Sequence, residues 1–104
     1  MTADDFRKIA LSLPDAVESA HMKHPDFRIG KKVFATLGYP DSAWGMVKLT
    51  LEQQEVLVSA EPGIFKPVSG AWGRRGNTQL LLKAANKTTA KSALRMAYDN
   101  IASK

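Results

Sequence analysis

The chain has 104 residues, 44% of them hydrophobic and 24% charged, which is ordinary for one folded domain and argues against a disordered or membrane-embedded chain. It has no cysteine, so disulfide staples, thiolate nucleophiles and Cys-based zinc sites are excluded. The net charge of +5 is uneven: residues 1–61 carry seven Lys/Arg against nine Asp/Glu, net −2, and residues 62–104 carry eight against one, net +7, a distribution that suits a polyanionic partner.

The segment Met1-Thr2-Ala3-Asp4-Asp5 is acidic and polar rather than a basic start to an apolar run, so no secretory leader is expected. Thr2 with Asp5 three residues on reads as a capping box. Phe6, Ile9, Ala10 and Leu13 form the apolar stripe of a short helix, and Pro14 disfavours helical geometry in the residue before it, which stops the helix near Leu13. Val17 to Met22 is a first strand of poor alternation. Phe27 and Ile29 alternate with Asp26 and Arg28 in a half-buried strand. Gly30-Lys31-Lys32 makes a tight turn into Val33–Leu37, where Val33, Ala35 and Leu37 are expected on one face. Residues Gly38 to Ser42 form a loop, and Gly45–Leu49 a further strand.

Thr50 caps a second helix, with Gln53 at the capping-box position and Val56, Leu57 and Ala60 as its buried face. Pro62-Gly63 ends it. Residues 64–68 read as an irregular connection and Ser69–Asn77 as a glycine-rich loop. Thr78–Lys83 alternates as a strand. A final helix runs from about Thr88 to Ala102 on the stripe Ala90, Ala93, Leu94, Ala97 and Ile101, while Lys87, Lys91 and Arg95 share another face. The expected architecture is α+β: a single antiparallel sheet with helices packed on one face, in the order α-β-β-β-α-β-α, since short connections favour antiparallel pairing. One domain over residues 1–104 is expected. No apolar stretch approaches the roughly 20 residues that span a bilayer, so a soluble, cytoplasmic protein without membrane association is the default.

Two stretches carry a family resemblance, His24-Pro25-Asp26-Phe27-Arg28-Ile29-Gly30-Lys31-Lys32-Val33-Phe34-Ala35 and Pro67-Val68-Ser69-Gly70-Ala71-Trp72-Gly73-Arg74-Arg75-Gly76-Asn77-Thr78. With Leu11-Ser12-Leu13-Pro14 and Val47-Lys48-Leu49-Thr50, they resemble the MmcQ/YjbR family over nearly the whole chain. The resemblance implies a compact fold similar in outline to the bacterial frataxin-like fold, and a DNA-binding role with a double-wing arrangement. It brings no catalytic residues.

The residues themselves point to the same class of partner. Gly70, Gly73 and Gly76 permit close backbone approach, Arg74 and Arg75 offer two guanidinium forks for phosphate, and Trp72 offers a flat face for stacking. The competing reading packs Trp72 into the core and pairs the arginines with carboxylates. Lys31 and Lys32, with Arg28, form a second basic turn, and Lys87, Lys91 and Arg95 could extend a phosphate-tracking surface. Each of these is also what a solvated surface looks like. His21, His24 and Asp26 could form a metal triad, but strand spacing would send the two histidines to opposite faces. Iron binding of a frataxin kind would need a carboxylate ridge, and the first helix offers only Asp4 and Asp5. No metal and no cofactor is therefore expected. Ser69 and Thr78 have no histidine near them in sequence, and no phosphate-cradling or dinucleotide motif is present, so no enzyme is expected. The reading from sequence is weak, largely sequence-independent DNA binding. The alternative is a non-enzymatic protein- or small-ligand-binding module built around Tyr39, Trp44 and Phe34.

Overall fold

Both capping boxes written in the sequence form. In the computed structural model, which describes residues 1–21 and 23–102, Thr2 opens helix α1 (Ala3–Leu11) and Thr50 opens α2 (Leu51–Ala60). Each threonine hydroxyl accepts from the backbone N–H three residues on, and each N3 side chain accepts from the cap's own N–H. Hydrogen bonds from the Thr2 backbone and side chain hold the Asp5 carboxyl below its ordinary value. Its contribution is therefore present above the normal carboxylate range and is lost as pH falls through the lowered folded value. At the second box, Thr50→Ala is expected to cost about 1 kcal/mol in chemical denaturation, with Thr50→Ser restoring most of it.

Six strands form one antiparallel sheet: β1 (Ala16–His21), β2 (His24–Ile29), β3 (Lys32–Leu37), β4 (Trp44–Lys48), β5 (Phe65–Pro67) and β6 (Asn77–Leu81), in the spatial order β1-β2-β3-β4-β6-β5. Met22, expected at the end of the first strand, lies outside the described residues. The poor alternation of that strand has a plain cause: β1 is an edge strand, exposed from Val17 to Ala20.

Cross-strand partners share a face. Phe27, Ala35, Val47 and Thr78 point one way, and Asp26, Thr36, Met46, Gln79 and Lys66 the other. Helix α4 (Lys87–Ala102) lies against β2, β3 and β4, α1 packs on α4 and β1, and α2 sits beside β5. A reciprocal pair of amide hydrogen bonds between Gln53 and Asn100 ties α2 to α4. The core lies between this helical layer and the first of the two sheet faces. Phe6 meets Phe27 with ring centroids 6.1 Å apart, and Phe34 meets Tyr98 edge-on at 5.9 Å. Each fully buried side chain of this kind contributes about 1.5–3 kcal/mol. The Tyr98 hydroxyl reaches past the core to donate to the Pro14 carbonyl at 2.8 Å.

Four expectations need correction. Val33 does not share a face with Ala35 and Leu37. Arg28 pairs with Val33 and Phe27 with Ala35, so Phe34 is the extra residue of a bulge, which turns both Phe34 and Ala35 inward. Val56 is 63% exposed and Ala60 is exposed; the inner face of α2 is Gln54, Leu57 and Val58. Counting apolar residues misplaced that stripe because its most buried member is polar. Residues 64–68 contain a strand, β5, where Pro67 is tolerated because only one side of the strand is paired. Finally, the glycine-rich loop contains a helical turn, α3 (Ala71–Arg74), and Asn77 already belongs to β6.

Candidate nucleic-acid interface

The segment from Gly70 to Asn77 is held from below. Gln54 is buried in α2, and its side-chain amide donates to the carbonyls of Gly73 and Asn77, each at 3.0 Å. The Asn77 side chain donates to the Trp72 carbonyl at 2.9 Å, and the Thr78 hydroxyl to the Gly76 carbonyl at 2.8 Å. Thr78 is fully buried and its hydroxyl is engaged in this bond. Two glycines make the geometry possible. A Cβ on Gly73 would stand 1.8 Å from the Val68 carbonyl oxygen, and one on Gly76 would stand 2.0 Å from that of Leu49. Gly76 also has φ +102°, a region L side chains rarely enter.

The outer side of this turn carries the chemistry. Trp72 is 56% exposed and outside the core. The Arg75 guanidinium lies over its ring, 5.6 Å from the centroid, a cation–π contact. Arg74 and Arg75 are exposed, and neither takes part in the ion pairs found among the described residues.

The strand register decides which other cations join them. Lys48 pairs with Asn77, so the end of β4 and the start of β6 lie together. Ala35 pairs with Val47, which puts the start of β3 at that same end. The Lys31–Lys32 turn, Lys48 and the Arg74–Arg75 turn therefore occupy one end of the sheet. Two strand spacings separate the start of β3 from the start of β6, about 10 Å. Lys31 and Lys32 are exposed and unengaged in the ion pairs above. Asp15 precedes β1 and Glu52 lies in the first turn of α2, and neither takes part in the ion pairs found among the described residues.

Of the remaining sequence candidates, Arg28 lies at this same end, opposite Val33, but is already engaged, and Lys87, Lys91 and Arg95 lie on α4. Arg28 donates from Nε and a terminal nitrogen to both oxygens of Asp26, at 2.8 and 2.9 Å. Asp26 is only 1% exposed, and this hydrogen bonding raises the Arg28 pKa further above its already high ordinary value. Lys87 sits 3.9 Å from Asp5 at the opposite end, where α1 and α4 both begin. From there α4 runs to Asn100, which donates to the Lys48 carbonyl, about 20 Å away at 1.5 Å per residue. Arg95 pairs with Asp99 at 3.1 Å, and Lys91 is exposed on the helix between them. The helical row thus does not join the basic end.

Tyr39 is 49% exposed and edge-on to His24 at 6.0 Å, while Trp44 is half-buried. Neither lines the shallow grooves of this surface, which run between α2 and β5 past Leu51, Gln54 and Pro67. Phe34 is a core residue. Among the described residues no group of three His, Asp or Glu side chains could hold a metal, and no helix is long and apolar enough to cross a membrane. Sequence reasoning missed Gln54, Asn77 and Lys48. The first two are polar side chains whose partners are backbone atoms distant in the chain, and Lys48 is made relevant only by the pairing of β4 with β6.

The family model described as YjbR matches residues 11–100. No curated protein matches the chain. Among solved structures, the crystal structure of the Deinococcus radiodurans protein DR2400, titled with a DUF419 domain, is similar with a TM-score of 0.82 and 20% identity. The match covers 99% of this chain and 80% of that one. At that identity the likeness is one of fold.

Proposed function

The chain belongs to the YjbR family, and from that premise we propose that it binds DNA weakly and largely independently of sequence, in a binding rather than a catalytic role. Arg74, Arg75, Lys31 and Lys32 contact backbone phosphates, and Trp72 braces the arginine turn. The observation that carries this reading is the meeting of two basic turns at one sheet end, none of their four charges engaged in an ion pair among the described residues. Arginine forks suit phosphate oxygens, and such contacts position a protein without reading bases. Arg28, Lys87 and Arg95, each already beside a carboxylate, contribute little.

Binding of this kind has a dissociation constant of about 10⁻⁴–10⁻⁶ M at physiological salt. Each neutralised phosphate adds about −0.9 to the slope of log affinity against log salt, so four cations predict a slope of about −3.6. Fluorescence anisotropy with a labelled duplex across a salt series measures it. An affinity indifferent to salt would remove the proposal.

A further inference from the structure

We infer that the face of the sheet opposite the core, around Trp44, is a platform for single-stranded nucleic acid, with bases stacking on Trp44 and the strand leading to the cations at the end of β4. This rests on the DNA-binding reading above and names the form of nucleic acid the sheet face selects.

The core, with α1 and α4, lies on one side of the sheet, and on the other Asp26, Asn77 and Gln79 are themselves buried. On the other side, β4 presents Trp44, Met46 and Lys48, and Met46 is flanked by Thr36 and Gln79 on the neighbouring strands. Trp44 and Met46 are half-buried, and neither belongs to the core. Met46 sits between polar neighbours, while Trp44 lies opposite the half-buried Leu81. A small apolar spot rimmed by polar and basic side chains fits flat rings with polar edges. The carboxylate that the strand register places on this face is Asp26, and Arg28 clamps it through both oxygens. Lys48 and Lys66 share the face and take part in none of the ion pairs among the described residues. The face therefore favours an anion.

Trp44 and Lys48 are four residues apart on one strand, a span of about 13 Å. A base on the ring can have its neighbouring phosphates at the lysine, and beyond Lys48 lies the Arg74–Arg75 turn. In a duplex the bases are paired and stacked inside, so Trp44 offers it nothing. Only an unpaired strand gains from the ring.

Trp44 and Trp72 are the two tryptophans of the chain, which makes the test direct. An oligothymidine and a duplex of equal length are titrated by anisotropy into wild type, Trp44→Ala and Trp44→Phe. The alanine variant should lose about tenfold in single-strand affinity relative to duplex affinity, and the phenylalanine variant should regain most of it. Independently, in Trp72→Phe the emission of Trp44 should be quenched by the single strand and not by the duplex, a readout that does not depend on how Trp44→Ala folds. Unchanged single-strand affinity in a folded Trp44→Ala, or Trp44 emission that responds to polyglutamate as to DNA, overturns the inference while leaving duplex binding at the basic end intact. Failure of both oligonucleotides to bind at low salt overturns the DNA reading itself.

Discussion

Alanine in place of Gly76 is expected to lower the thermal midpoint by about 12–24 °C. The added Cβ would stand 2.0 Å from the Leu49 carbonyl oxygen at a residue with φ +102°. The backbone strain costs about 1–3 kcal/mol and the overlap about as much again. A total near 3 kcal/mol, at about 4–8 °C per kcal/mol for a domain of this size, gives the shift. Gly73→Ala should behave alike for a different reason. In a helical turn alanine is normally favoured over glycine by about 1 kcal/mol, but here its Cβ would lie 1.8 Å from the Val68 carbonyl oxygen, and a backbone atom cannot step aside as a flexible side chain does. Gly63 is the control. A Cβ there meets nothing within 4 Å and its φ is unstrained, so Gly63→Ala should be neutral or slightly stabilising. Thermal melts followed by circular dichroism compare the three. A Gly76→Ala protein that melts with the wild type would refute the tight seating of this turn against the Leu49 carbonyl.

Reversal of both arginines, Arg74→Glu with Arg75→Glu, is expected to weaken duplex binding by about 100-fold or more. Hydrogen bonds to charged groups contribute about 1.5–3 kcal/mol each, and the introduced carboxylates repel phosphates in addition. Stability should change little, since exposed substitutions usually fall within about 0.5 kcal/mol; the Arg75–Trp72 contact adds about 0.5–1 kcal/mol to that change. Reversal of Lys31 and Lys32 should weaken binding in the same direction, while reversal of Lys87 and Arg95, which already sit beside Asp5 and Asp99, should not. The same anisotropy series reads all three. Binding that survives the double arginine reversal would place the site elsewhere.

Local signals carried much of this fold. Both threonine caps and the stripes of α1 and α4 could be read from residues three or four apart, because the contacts that make them are equally local, and the antiparallel meander from its short connections. The misreadings came where the deciding partner is distant. Nothing near Phe34 announces that it is an extra residue in β3, since the bulge exists only against β2. Gln54 looks like a surface residue until the carbonyls of Gly73 and Asn77 are brought to it. The site divides in the same way. Arg74, Arg75 and Trp72 were visible as types on a glycine-rich segment. Their nearness to the Lys31–Lys32 turn follows from the order of β3, β4 and β6, and the pairing of Arg28 with Asp26 from the side-chain geometry of one strand.

The double donation from Gln54 has a further consequence. A turn pinned at two carbonyls surrenders its conformational freedom when the protein folds, so docking an anion there carries little additional ordering penalty. The pinning reaches the backbone alone, and the exposed Arg74 and Arg75 side chains keep their rotamer freedom above it.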